Sequence, residues 1–522
     1  MTNRLYENVS YASLAYRALR RYDDRVAFID GDREFSYRDS AKSVQVFRNL
    51  LVDSGVEKGV PIALVGGNHP ETFFTRAAAI MEGARVTSLH PENGIDDHTY
   101  ALNYLDTEVV IFESPRFDAL IEDLSPLSPT IKFIPMPSMD PATLQDQDIE
   151  LAPPVRMHAE DVIGISLSGG TTGKPKGIMH SDRTLATNAT FSCLEWDWPQ
   201  DIRFLAATPL SHASGAMAVP ILMQGGSLVM LDKFTPERFR DVVKEHNVNS
   251  TFLVPTMIHR LLALPDAESP FNDLETVIYG ASKIDPSMLR GAVERFGQKF
   301  VQLYGQSEAP NLIAALKKAD HDPHDPEKMA SCGRPVGCAD VALLDDKDRE
   351  VPVGEVGEIC VRGPIVMAGY WQKPELTEET FSSGWLHTGD LARANAQGYL
   401  TIVGRKKDMI ITGGLNVYPA EVETVMGEFP GVAAAAVLGI PDEEWGEKIV
   451  AFVTLDDDAG DAFDEAELQE FIKARKGSVQ TPKAIFTTDA FPLTKIGKPD
   501  KVALQNLAIE RDAARSLVHE AR

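Results

Sequence analysis

Along most of the chain, short apolar runs alternate with longer stretches in which apolar side chains recur at helical spacing, a pattern that predicts strands interleaved with helices. Val26 to Asp30 and Arg33 to Phe35 are strand-like runs joined by Gly31-Asp32, which reads as a hairpin turn. Ser36-Tyr37-Arg38-Asp39 has the form of a capping box, in which serine and aspartate side chains satisfy each other's backbone N–H groups. It opens a helix with Val44, Phe47 and Leu51 on one face and Gly55 as its stop. Pro61 to Val65 reads as a strand, Pro70 to Glu82 as a helix, and Ala84 to Leu89 and Glu108 to Phe112 as strands flanking a second helix. Such alternation argues an α/β fold built on parallel, doubly wound sheets.

Ser125 to Val155, rich in proline and polar residues, reads as a connecting segment. The alternation resumes with strands at Arg203 to Ala207, Ser227 to Leu231, Ser250 to Val254, Leu274 to Tyr279 and Lys299 to Tyr304. Beyond Gly333 the runs shorten and glycine punctuates them, as in Gly354-Glu355-Val356-Gly357-Glu358, which predicts a small antiparallel β unit. After Gly404 an α+β piece runs to a charged terminal helix near Leu504 to Arg522. There is no internal repeat and no low-complexity tract.

A chain of 522 residues is too long for one core, so two or more domains are expected. The 51 basic and 77 acidic side chains leave a formal charge of −26. That field repels phosphate backbones and anionic membranes, which argues against a nucleic-acid partner and requires any nucleotide site to gather its own cations. The cysteines, Cys193, Cys332, Cys338 and Cys360, are too few and scattered for a disulfide framework or a zinc site, and read as core thiols in a reducing compartment. Met1 to Leu19 lacks the order of a signal peptide, and no apolar run reaches membrane-spanning length. The cytoplasm is the expected location.

The first chemical signal is Ser168-Gly-Gly-Thr-Thr-Gly-Lys-Pro-Lys-Gly177, set between the apolar run Val162 to Leu167 and Ile178-Met179-His180. Gly169, Gly170 and Gly173 let backbone N–H groups converge, Thr171 and Thr172 add hydroxyls, and Lys174 and Lys176 add charge, all suited to an oligophosphate. A Walker loop is excluded by spacing: Gly169 and Gly173 enclose three residues rather than four, and Lys174 is followed by Pro175 rather than a metal-binding hydroxyl. A flexible linker is the bland alternative, but linkers rarely sit between two apolar strands. The stretch resembles the phosphate loop of the adenylate-forming enzymes, which include acyl-CoA synthetases, firefly luciferase and the adenylation domains of peptide synthetases.

Other blocks resemble that family in its own order. Ser211-His212-Ala213-Ser214-Gly215 lies where the family lines its carboxylate pocket, and Ala213 replaces the aspartate that pairs with an amino-acid substrate, which argues against an amino acid. Tyr279-Gly280-Ala281-Ser282-Lys283 stands at the turn against adenine and acyl chain, departing from the family pattern with Lys283 for proline. Tyr304-Gly305-Gln306-Ser307-Glu308 is similar to Tyr-Gly-x-Thr-Glu: the resemblance gives Tyr304 to adenine, the Ser307 hydroxyl to the α-phosphate and Glu308, with Thr171, to Mg²⁺. Gln302, two residues earlier, joins the nucleotide-binding set. Gly384-Trp385-Leu386-His387-Thr388-Gly389-Asp390 supplies Asp390 for the ribose hydroxyls. In Gly404-Arg405-Lys406-Lys407-Asp408, Arg405 matches a ribose contact and Lys407 the hinge, while Gly414 matches the glycine lining the pantetheine passage. Pro492-Leu493-Thr494-Lys495-Ile496-Gly497-Lys498 ends on the lysine that would contact both anions as carboxylate meets α-phosphate.

The resemblance implies a large N-terminal domain, residues 1–404, that binds the acid and ATP, and a small mobile domain, 405–522, with the active site between them. It implies Lys498, Thr171, Glu308 and His212 as catalytic residues, and ATP, Mg²⁺ and coenzyme A as the cofactors. The expected reaction makes acyl-AMP and pyrophosphate, then acyl-CoA and AMP. The pocket candidates His212, Met217, Met257, Tyr279 and Gly280 suit a fatty, aryl or alicyclic acid. A carrier protein in place of coenzyme A, a luciferase-like oxygenase and a non-catalytic acyl-nucleotide binder remain as alternatives. The sequence is also compatible with a homodimer.

Overall fold

The computed structural model describes residues 9–168, 175–442, 445–456, 463–492 and 500–520, with side chains as far as 512. The predicted hairpin forms from Val26–Asp30 and Arg33–Ser36. The capping box is present in full: Ser36 and Asp39 start the Tyr37–Asp53 helix, whose Val44, Phe47 and Leu51 are buried.

Two large sheets carry the N-terminal part. In the nine-stranded sheet the central strands, including Phe300–Gln306, Thr276–Tyr279, Ser250–Leu253, Arg203–Ala206, Ser227–Met230 and Val26–Asp30, run parallel, with antiparallel strands at both margins. A seven-stranded sheet holds Arg85–Leu89, Pro61–Val65 and Val109–Glu113 in parallel, and adds Val162–Leu167 and Gly177–Ser181 as an antiparallel pair. The Tyr11–Leu19, Pro70–Met81, Asp182–Glu195 and Ala213–Met223 helices meet in one apolar cluster that also takes side chains from both sheets. The Pro70–Met81 helix is buried almost all round, with Phe73 and Phe74 packed on Phe28 from the other sheet's hairpin.

The segment expected to be a mere connector contains a strand, Lys132–Met136, paired in parallel with Val109–Glu113. Its Pro135 would break a central strand but is tolerated at a sheet margin, where one side needs no donor. The glycine-punctuated region forms the expected antiparallel sheet from Asp340–Leu344, Val356–Arg362, Trp385–Ala394, Phe381–Ser382 and Leu400–Arg405. A last sheet, built on the long Val432–Asp442 and Gly446–Leu455 strands, is covered by the Pro419–Met426 and Glu465–Lys476 helices on one face. Leu504 and Ala508 of the Lys501–Glu520 helix cover the other face. All four cysteines are free thiols. No helix among the described residues is long and apolar enough to cross a membrane.

Two buried histidines make the fold acid-sensitive. His321 donates from Nδ1 to the Lys317 carbonyl and accepts the Tyr279 hydroxyl at Nε2 (2.8 and 3.0 Å). Nε2 of His180 lies 3.1 Å from the Ser166 hydroxyl. Burial pushes each pKa down to about 4. The unfolded chain therefore takes up these protons first, and stability falls as pH drops from about 6.5 towards 4, by roughly 3 kcal/mol per histidine. Urea unfolding across that range should show the loss, and His321→Gln should flatten the dependence.

Candidate active site

The phosphate-type loop springs from the antiparallel pair Val162–Leu167 and Gly177–Ser181, with Leu167 opposite Gly177. Ser168 N–H donates to the Lys176 carbonyl at 2.9 Å, and Lys176 N–H to the Ser168 hydroxyl at 3.3 Å, closing the base. Gly169, Gly170, Thr171, Thr172 and Gly173 lie outside the described residues.

What the motifs do not announce is how Glu308 reaches this base. The two-residue strand Gly369–Tyr370 adds to the Gly177–Ser181 strand. Tyr370 donates its hydroxyl to Glu308 Oε1 at 2.8 Å, and the Lys176 ammonium stands 5.4 Å from the centre of the same ring. The Met367 N–H bonds the Glu308 carbonyl (2.8 Å), fixing the backbone. Among the described residues nothing donates to the other Glu308 oxygen, a donor set that fits an oxygen-seeking divalent cation beside the loop.

Asp390 organises the second half of the site. Only 6% exposed, it accepts Tyr304 OH (2.7 Å) and Gln306 Nε2 (2.6 Å) on Oδ2, and forms an ion pair with Arg405, whose Nε stands 3.0 Å from Oδ1. Gln306 also donates to the Thr388 carbonyl at 2.9 Å, so the turn and the strand end are joined twice. Tyr304, expected at adenine, spends its hydroxyl on this carboxylate. Beside the network opens a cleft of about 400 Å³ lined by Thr388, Gly389 and residues 405–407. Its size suits a nucleotide-sized ligand, and its cations answer the surrounding negative field.

The glycines serve different ends. A Cβ on Gly305 would stand 2.3 Å from Asn311 N, so this glycine admits the neighbouring strand, and one on Gly280 would meet the Leu303 carbonyl at 2.7 Å. Ala281 holds a left-handed φ of +66°, a local strain of the kind found at ligand sites. Ser282 and Ser307 are exposed, while the Gln302 side-chain amide lies 3.1 Å from the Tyr279 hydroxyl. Gly414 has φ +78° and open space where a Cβ would point. Lys407 adjoins the cleft, and Lys498 lies outside the described residues.

His212 caps the Ala213–Met223 helix, with its Nδ1 2.8 Å from the Ser211 hydroxyl and its ring edge-on to His90 at 5.6 Å. Burial first, then the charges of His90 and Arg76, lowers its pKa and keeps it neutral. Two expected pocket residues are corrected here: Tyr279 and Met217 are fully buried and offer no lining surface. Tyr279 packs on Phe300 and His321 in a core cluster of the nine-stranded sheet. Sequence reasoning missed Tyr370, His90, Arg76 and Glu358. Glu358, Cys360 and His387 gather their ligand atoms within 4.8 Å of one another. The Lys406 ammonium, however, sits 3.1 Å from Glu358 Oε2 and the Gly389 N–H donates to Oε1, so both carboxylate oxygens are already spent on hydrogen bonds.

Residues 15–371 match the family described as AMP-binding enzyme, and residues 421–498 match the AMP-binding enzyme C-terminal domain. The chain is 42% identical to the medium/long-chain-fatty-acid–CoA ligase FadD8 of Mycobacterium tuberculosis, over 94% of this chain and 88% of that one. It is 34% identical to a feruloyl-CoA synthase of Amycolatopsis, over 94% and 97%. The amide bond synthetase McbA of Marinactinospora thermotolerans superposes with a TM-score of 0.85 at 28% identity, covering 95% of this chain and 99% of that structure.

Removing the Tyr304 hydroxyl takes one donor from a buried charge, worth about 1.5–3 kcal/mol. Tyr304→Phe should therefore raise the KM for ATP at least about tenfold, with an unchanged circular dichroism spectrum; an unaltered KM would detach Asp390 from nucleotide binding. With both of its parts matched and close relatives aligned over nearly its whole length, the chain belongs to the AMP-binding enzyme family.

Proposed function

We propose that this protein is an ATP-dependent acid–CoA ligase acting on a medium- or long-chain fatty acid or an aryl acid. The observation that carries the reading is that Glu308, held through Tyr370 beside the Ser168–Lys176 loop base, directly follows the strand end whose Gln306 bonds Asp390 and the cleft-lining Thr388, in a chain related to CoA ligases of both substrate types. Ala213, where an amino-acid enzyme would need a carboxylate, supports an acid without an amine.

In the first half-reaction a carboxylate oxygen bonds to the α-phosphorus of ATP as the bond to the β-phosphate oxygen breaks, giving acyl-AMP and pyrophosphate. Asp390, with Arg405 beside it, orients the ribose. Glu308 and Thr171 would hold Mg²⁺, which when bound neutralises charge on the phosphates. Lys176 and Lys498 supply the cations that let two anions approach, and neutral His212 lines the pocket without forming an ion pair that would hold the carboxylate back. In the second half-reaction the coenzyme A sulfur bonds to the acyl carbon, the bond to AMP breaks, and the thiol proton passes to solvent.

The two steps need different surfaces at one site. Residues 405–522 are assigned to a mobile domain that turns about Lys407, withdrawing Lys498 and presenting the Gly414 turn as the pantetheine passage. Among the described residues, contacts between the lobes include Arg393 to Glu421 (3.1 Å) and Lys283 to Thr424 (3.1 Å), both reaching the Pro419–Met426 helix just beyond Gly414. Four free thiols fit a reducing compartment, and the cytoplasm is the proposed location.

Pyrophosphate release measured across fatty, aryl and alicyclic acids tests the reading, and silence with every acid overturns it. Lys498→Ala is expected to abolish pyrophosphate release while sparing thioester formation from supplied acyl-AMP. Gly414→Leu should do the reverse, and equal loss of both steps in either variant would refute that assignment.

A further inference from the structure

Glu358 lies in the Val356–Arg362 strand, is only 6% exposed, and stands outside the motifs that carry the family resemblance. A carboxylate in such a place is costly unless both oxygens are paired. Its Oε1 accepts the Gly389 N–H at 2.9 Å. Its Oε2 accepts His387 Nδ1–H and the Lys406 ammonium, each at 3.1 Å. Burial opposes the charge, yet these bonds outweigh it and hold the pKa below the ordinary carboxylate value.

The partners belong to two different working parts. Gly389, at φ +72°, lines the cleft and shapes the turn that precedes Asp390. Lys406 immediately precedes Lys407, and its ammonium also reaches Asp346 Oδ1 at 2.9 Å. Although counted with residues 405–522, Lys406 is tied to two carboxylates of the small antiparallel sheet region, which holds it with the large lobe, so rotation of the chain begins beyond it. We infer that Glu358 is a positioning residue that locks the ribose-side turn and the fixed end of the pivot to each other, an inference that rests on the two-step reading above. One carboxylate thereby sets both where the nucleotide sits and where the lobe starts to swing.

Two variants separate the two ties. Glu358→Gln keeps the shape but surrenders the charge shared by Gly389 and Lys406, whereas Lys406→Met cuts only the pivot tie. In hydrogen exchange on the substrate-free protein, Glu358→Gln should speed exchange of amides 388–390 and 405–408 together, and Lys406→Met that of 405–408 alone. In assays, Glu358→Gln should raise the KM for ATP about tenfold and slow transfer to coenzyme A about tenfold. Lys406→Met should slow transfer similarly. Wild-type exchange at either segment in Glu358→Gln overturns the inference, as does a Lys406→Met protein whose amides 388–390 exchange as fast as those of Glu358→Gln. Because exchange needs no turnover, a wild-type protein inert towards every acid would count against the ligase reading alone.

Discussion

A charge taken out of water must be met by donors, and the placement of Asp390 makes that requirement an organising force. Its carboxylate draws Tyr304 and Gln306 from the nine-stranded sheet and Arg405 from the last strand of the small antiparallel sheet. None of these segments is near the others in sequence, yet the aspartate is stable only where all of them converge. The cleft is what remains on the open side of that convergence.

Around it the protein manages charge locally against its own average. A formal −26 would discourage any polyphosphate, but residues 405–407 present three consecutive cations beside the cleft. Lys176 does the same at the base of the loop, held near Glu308 through the Tyr370 ring. His212 is treated in the opposite way: burial above all, with His90 and Arg76 nearby, lowers its pKa and keeps it uncharged. Attraction is thus concentrated where phosphates would lie and removed from where an acid's carbon skeleton would lie.

Much of this was legible in the order of residues, because helices and strands here obey local rules. The Ser36/Asp39 capping box, the Gly31-Asp32 turn and the apolar runs of the parallel strands each carry their instruction within a few residues. What escaped depends on neighbours. Lys132–Met136 contains a proline and reads as loop until its edge position is known. Ala433 to Ala436 would favour a helix in isolation, yet they form a strand because Val432–Asp442 lies along Gly446–Leu455. The same holds at the cleft. Tyr304, Gln306, Asp390 and Arg405 could each be named from a motif, but no motif says that one would be spent on another. Tyr279 looked like a pocket residue from its place in a family motif at a strand end, and only the packing of Phe300 and His321 around it reveals a core side chain. Tyr370 and Glu358 carried no local signal, since a tyrosine or glutamate in a short strand is ordinarily a surface residue.

The opening hairpin has a temporal consequence. Its Val26–Asp30 strand finds its parallel neighbour only at Ser227–Met230, with Phe28 beside Leu228. On a ribosome adding about 5–20 residues per second, that partner arrives roughly ten to forty seconds later. Throughout the interval the nascent chain carries an unpaired apolar edge, and by then the strands of the other large sheet as far as Gly177–Ser181 have already been synthesised. The hairpin is thus translated well before its partner and docked late, so the birth of this protein depends on keeping that segment from sticking to other chains in the meantime.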